Sequence, residues 1–247
     1  MSFLAALQFL TILPIKRSFT AVQVGRSSAS FPLVGLLIGL FLAGLSLILY
    51  RILPGSVVNI FLVVGLTVCS GALHLDGLVD TLDGIAGHRT PERRLEIMRD
   101  SRIGGFGAIG IALFLIIEYV LLNSTGGSHH LFALILSPVL SRWAMVNTIF
   151  VYPYARKEGL GKVYKQSVGW QQFVVATIIA IGISLLLFRW AGIIILFGVW
   201  IIINLLAMFL KSRLNGLTGD TYGAINEIGT ISVFLLVILL DYNHWLI

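Results

Sequence analysis

LVGLLIGLFLAGLSLILYRIL, residues 33–53, decides which solvent this chain folds in. No charged side chain interrupts it between Leu33 and Tyr50. A helix needs roughly 20 mainly apolar residues to cross a hydrocarbon core, and this run supplies them. Comparable runs recur near residues 57–75, 104–123, 131–152, 172–188, 191–210 and 228–246. Backbone polar groups left unpaired in lipid are too costly to keep, so each run is expected to be a helix. The expectation is an all-α, polytopic transmembrane bundle of about seven spanning helices. Composition agrees: 57% of residues are apolar and 11% charged, with a mean hydropathy of +0.97, far from the roughly 25% charged of a soluble domain.

No Ser/Gly/Pro-rich linker divides the chain, so residues 1–247 read as a single integral membrane domain. Met1 to Pro14 is apolar but lacks a basic leader and a small-residue cleavage site, so it does not read as a secretory signal. It suits a short N-terminal interfacial or re-entrant helix ending at Pro14. The single cysteine, Cys69, has no partner for an intramolecular disulfide and reads as a small core residue. Gly35 with Gly39, and Gly216, Gly219 and Gly223, are small-residue series of the kind that pack membrane helices or approach a ligand.

Basic residues crowd one set of loops: Lys16, Arg17, Arg26, then Arg89 to Arg102, Arg156 to Lys165, and Lys211 with Arg213. The opposite set has Arg51 and Arg189 at its edges, while Arg142 falls within a span. By the positive-inside rule the crowded side faces the cytoplasm and the carboxyl terminus lies outside. Lipid headgroups and topology explain the basic pI of 9.7 without nucleic acid.

The dense polar motifs all lie on that basic side. HLDGLVDTLDG, residues 74–84, carries Asp76, Asp80 and Asp83. On a helix this i, i+4, i+7 spacing puts three carboxylates within about 60° of one face. Like charges beside an apolar span are costly unless paired or holding a cation, and hard oxygen donors favour Mg²⁺ or Mn²⁺. A salt-bridged cluster is the structural alternative. ERRLEIMRDSRIG, residues 92–104, repeats acids at Glu92, Glu96 and Asp100, a stripe that can face the first. Its Arg93, Arg94, Arg99 and Arg102 suit anionic oxygens, or else lace a solvated helix with i,i+4 ion pairs. His74 reads either as a proton acceptor or as a hydrogen-bonded core histidine.

YARKEGLG, residues 154–161, joins Arg156 and Lys157 to a Gly-flanked turn suited to phosphate or to a headgroup. GLTGDTYGAINEIG, residues 216–229, brings Asp220 and Glu227 into a span, where acids are usually functional. A buried ion pair with Arg142 is the structural alternative for Glu227. There is no GxxxxGK[ST] loop, no zinc-type Cys/His spacing and no HExxH.

Taken in order, these motifs together with FLTILP at residues 9–14 and FPLVG at 31–35 resemble the cobalamin synthase family, the CobS-type adenosylcobinamide-GDP ribazoletransferases. One departure is Thr230, where many relatives are expected to carry an acid. The resemblance implies a membrane transferase of vitamin B12 assembly that uses Mg²⁺. In it a ribose hydroxyl of α-ribazole, or of its 5′-phosphate, attacks the phosphorus attached to cobinamide in adenosylcobinamide-GDP and GMP leaves. On this reading Asp76, Asp80, Asp83 and Asp100 hold metal, with Glu96 or Asp100 as the alternative proton acceptor. Arg99, Arg102 and Arg156 contact phosphates, and His74, Asp220 and Glu227 bind substrate. The implied location is the cell membrane with the active site facing the cytoplasm; a homo-oligomer, and docking of other pathway enzymes, are compatible with it.

Two rival readings exist. Asp80, Asp83 and Gly84 match the opening of the CDP-alcohol phosphotransferase motif, but Gly87-His88 stands where that motif has Ala-Arg. A cation-coupled transporter would place its acids near the bilayer midplane rather than beside arginines at one face.

Overall fold

The computed structural model describes residues 2–87 and 89–246, so His88 lies outside the described residues. The chain is helical: α1 (Ser2–Leu10), α2 (Ala21–Ser27), α3 (Phe31–Leu49), α4 (Gly55–Cys69), α5 (Leu73–Ile85), α6 (Pro91–Ile97), α7 (Gly105–Ser124), α8 (Gly127–Val151), α9 (Leu160–Ser167), α10 (Trp170–Leu214) and α11 (Gly219–Tyr242). Local chemistry sets several starts. The Thr20 and Thr218 hydroxyls accept the N3 amides of α2 and α11. Thr90 does the same for α6, with Pro91 at its first helical position.

α8 is the central element. Leu134, Leu136, Leu140 and Val146 are fully buried along it. Gly35 and Gly39 of α3 let that helix press onto the α8 backbone: a Cβ at Gly35 would stand 2.1 Å from the Pro138 carbonyl oxygen, and one at Gly39 2.7 Å from the Ile135 Cα. Both are packing glycines. In lipid, where apolar side chains gain nothing by leaving the solvent, such close backbone contact supplies the attraction. The outer surface is apolar, with Phe41, Ile48, Ile116, Leu186 and Trp190 each more than half exposed, as a lipid-facing surface requires.

The expected all-α polytopic bundle of about seven spans is observed, with the spans bounded differently. Among the described residues, five helices are individually long and apolar enough to cross a membrane, or six if the bent pair α4–α5 counts as one span. α10, counted once among the five, is broken at Arg189, whose φ of 50° and ψ of −134° are non-helical. A Cβ at Gly192 would meet the Ser184 carbonyl oxygen at 2.0 Å, so residues 170–188 and 190–214 double back on each other as two arms. The expected span 57–75 stops at Cys69. Gly71 and Ala72 are both left-handed (φ 60° and 58°), and α5 leaves at 87° to α4. The amino-terminal helix ends at Leu10, four residues short of Pro14, because Thr11 to Leu13 turn so that the Ile12 amide can reach the Cys69 carbonyl at 3.0 Å.

Contacts between chain-distant turns define two ends. One gathers Tyr50 against His130 and His129 against Asp241. The other gathers the Tyr154–Leu217 bridge and the approach of Asp83 to Gly104. The second end carries the basic loops and all four polar motifs.

Candidate active site

α5 and α11 cross at glycines. A Cβ at Gly77 would stand 2.6 Å from the Asp220 carbonyl oxygen, and one at Gly223 3.0 Å from that of His74. That close backbone approach brings the acid at the start of α11 beside those of α5. A two-bond backbone ladder adds the third motif: the Ala155 amide donates to Leu217 and the Leu217 amide to Pro153, both at 2.8 Å. It sets Arg156 against Asp220, the guanidinium Nη2 lying 2.6 Å from Oδ2.

The acid cluster is therefore Asp76, Asp80 and Asp220 with Arg156. Burial first, then the charges of Asp220 and Asp76, push the Asp80 carboxyl up to about 7, against the opposing pull of Arg156. A pocket of about 240 Å³ opens beside Asp76, Asp220 and Arg156, closed on its far side by Phe9, Ile149 and Tyr164. His74 lines this pocket although it lies on a different face of α5 from the aspartates. It is 1% exposed, and neither ring nitrogen has a hydrogen-bond partner among the described residues.

The other expected site residues are placed elsewhere. Asp83 shares a helix face with Asp76, but seven residues of helix are roughly 10 Å, and its carboxylate reaches a different neighbour. It accepts the backbone amides of Gly104 and Gly107, each at 2.8 Å, and so caps α7 from outside that helix. Asp100 is not on the helix that carries Glu92 and Glu96, because α6 ends at Ile97. The second acidic stripe is thus broken. Asp100 is exposed and bound by the Arg102 fork, which holds its carboxyl down to about 2. Glu96 is exposed and pairs with Arg93. Arg99 is exposed at the rim, near enough to Tyr154 to interact electrostatically.

Arg94 does not serve anions: it is buried and its guanidinium donates to the carbonyls of Gly84, Ile85, Gly87 and Arg89, stopping the C-terminus of α5. A second, open cleft of about 470 Å³ lies between α5, α6 and α7, where Arg89, Arg93 and Arg102 face Asp83, Asp100 and Gly104.

Glu227 is not in the pocket with Asp220. It lies deeper in the bundle beside Arg142, Asn226 and Glu118, around a cavity of about 10 Å³. Room for about one water excludes a substrate there. Electrostatic proximity links Glu227 to both Arg142 and Glu118. Glu118 was overlooked from sequence because a lone acid in residues 104–123 has no motif around it. Tyr154, Tyr222 and Phe9 were also missed as pocket residues, since an aromatic in an apolar chain carries no sign of its orientation.

Among the described residues no group of three His, Cys, Asp or Glu side chains is arranged to hold a metal ion by itself. The site consists of three carboxylates, Asp76, Asp80 and Asp220, with Arg156 and an opening at one membrane face.

Fold and site define a multi-pass helical membrane protein whose acid-and-arginine cleft suits phosphate-bearing substrates. The family profile described as cobalamin-5-phosphate synthase matches residues 2–239, and the chain belongs to that family. It is 39% identical over 236 residues to the adenosylcobinamide-GDP ribazoletransferase of Desulforamulus reducens, covering 95% of this chain and 94% of that protein. It is 39% identical to the protein of that name from Roseiflexus sp., covering 92% of this chain and 85% of the relative. With the one from Clostridium novyi it shares 37% identity over 94% of each chain. No solved structure matches the chain.

Proposed function

We propose that this chain is an adenosylcobinamide-GDP ribazoletransferase, one membrane domain over residues 1–247 that makes adenosylcobalamin, or its 5′-phosphate, and GMP. The observation that carries the reading is the convergence of Asp76, Asp80 and Asp220 with Arg156 at the Gly77–Gly223 crossing. The names of relatives at 37–39% identity over most of the chain supply the substrates.

The transfer needs a ribose hydroxyl held in line with the phosphorus attached to cobinamide. Its oxygen forms the new P–O bond, the bond from that phosphorus to the guanylyl oxygen breaks, and GMP leaves with the electron pair. The hydroxyl proton passes to a carboxylate of the cluster. Arg156, already committed to Asp220, presents its remaining N–H groups to a diphosphate oxygen, and Arg99 stands at the rim for the guanylate.

Mg²⁺ is the proposed cation. The donor set fits it: hard carboxylate oxygens, too few to enclose an ion alone, and Mg²⁺ is commonly held by one or two carboxylates together with substrate phosphates. Asp76 and Asp80 would hold it together with substrate phosphate oxygens, beside the Asp220–Arg156 pair. When bound it neutralises charge on the diphosphate. The basic loops around the site support a cytoplasmic orientation in the cell membrane.

The test is incubation of purified protein with adenosylcobinamide-GDP, α-ribazole and Mg²⁺. Adenosylcobalamin and GMP in equal amounts are expected, and their absence from a folded preparation overturns the reading.

A further inference from the structure

The pocket of about 240 Å³ beside the acid cluster has two unlike walls. One is apolar and aromatic. Phe9 packs on Tyr164 with ring centroids 5.0 Å apart, and Met145 and Ile149 complete the wall. Phe31 braces the pair from behind, 5.9 Å from Phe9 and 5.4 Å from Tyr164. The FLTILP and FPLVG motifs thus find a use that span formation alone does not explain. The other wall is polar: Asp76, Arg156, Asp220, His74 and Tyr222.

The polar wall is incomplete. Both nitrogens of His74, which is 1% exposed, and the hydroxyl of Tyr222, which is 3% exposed, lack a hydrogen-bond partner among the described residues. A buried polar group without a partner is costly to keep. The two residues that carry these three atoms both line the pocket, and a ligand with several hydroxyls supplies the partners they lack. Size narrows the choice: at about 240 Å³ the space lies below the roughly 300–1,000 Å³ of drug-sized sites, which rules out a corrinoid and leaves the smaller of the two substrates.

We propose that this pocket is the seat of the acceptor substrate, a benzimidazole-type ribonucleoside. Its flat base lies against the Phe9–Tyr164 wall, and its ribose hydroxyls reach Tyr222, His74 and the acid cluster. The assignment rests on the transferase reading above. It gives the smaller substrate the enclosed pocket and leaves the corrinoid diphosphate to approach from the open side of Asp80. Phe9, Tyr164 and Tyr222 then set specificity for the base and position the ribose.

Steady-state kinetics with each substrate varied in turn tests this. Phe9→Ala is expected to raise KM for α-ribazole about tenfold, as loss of an aromatic contact does, and to leave KM for adenosylcobinamide-GDP within about twofold of wild type. Photolysis of wild-type protein with an azidobenzimidazole riboside supplies the answer if that variant does not fold. Label is expected on peptides containing Phe9, Met145 to Ile149 or Tyr164. Turnover with an unchanged KM for α-ribazole in Phe9→Ala, or label confined to residues 89–106, overturns the assignment while leaving the transferase reading intact. Wild-type protein with no turnover overturns both.

Discussion

Gly77 lies against the backbone of Asp220, so close that a Cβ on it would stand 2.6 Å from the Asp220 carbonyl oxygen. The acid cluster exists because two helices touch at that point. Gly77→Ala has no room in backbone and must push α5 and α11 apart, at a cost of about 1–3 kcal/mol. Turnover is expected to fall more than about tenfold, since misplacement by an ångström is expensive in an aligned reaction. Gly44→Ala, where a Cβ meets nothing within 4 Å, is the matched control and keeps wild-type activity. Thermal unfolding and turnover of both variants check this.

Asp83 holds the start of α7 through the amides of Gly104 and Gly107. Asp83→Ala is expected to lose about 1–2 kcal/mol of stability, the worth of a helix cap. Asp83→Asn keeps one acceptor oxygen and loses less. Chemical denaturation in detergent micelles gives both values, and equal stability in all three proteins would remove the capping role.

The Asp80 carboxyl titrates near 7 in the folded protein but near 4 in an unfolded chain. Between those values the folded state binds the extra proton, so stability contributed by this group is complete below about pH 4 and is lost as pH rises through about 7. In the absence of divalent cations Tm is expected to fall across that window, and Asp80→Asn to flatten the fall. Added Mg²⁺ opposes the fall most at high pH, where the proton no longer competes with the ion. Differential scanning of wild type and variant from pH 4 to pH 8 measures each effect.

Much of this architecture is legible in the sequence because lipid imposes a length and a polarity on every helix that crosses it. The apolar runs at 33–53, 104–123 and 131–152 needed no other information. The 87° bend between α4 and α5 is a different matter. It rests on two left-handed residues, Gly71 and Ala72, and an alanine in that conformation is invisible to propensity. Helical spacing correctly put Asp76, Asp80 and Asp83 on one face. A shared face is still not a shared site, because the far end of α5 meets the amides of α7 while the near end meets α11. Asp220 belongs to the cluster through a crossing of glycines that are separated by 146 positions in the chain (77 to 223), and no local pattern reports such a contact.

Arg142 is 2% exposed among Glu227, Glu118 and Asn226. No carboxylate lies within ion-pairing distance of it among the described residues, but its charge reaches Glu227, and methionine removes that charge together with the hydrogen bond to Ser141. Arg142→Met is therefore expected to destabilise by about 1–3 kcal/mol. Arg142→Met combined with Glu227→Gln recovers part of the loss, a non-additivity that a double-mutant cycle in Tm detects.

The central claim is that Asp220 works with Asp76 and Asp80 while Asp100 stands apart with Arg102. The measurement that reaches it most directly is turnover of purified Asp220→Asn beside purified Asp100→Asn, with circular dichroism to show that both are folded. The account predicts a loss of at least about 100-fold for Asp220→Asn, the scale for removing one charge-stabilising group, and a change within about threefold for exposed Asp100→Asn. Near wild-type turnover in Asp220→Asn with collapse in Asp100→Asn would contradict it.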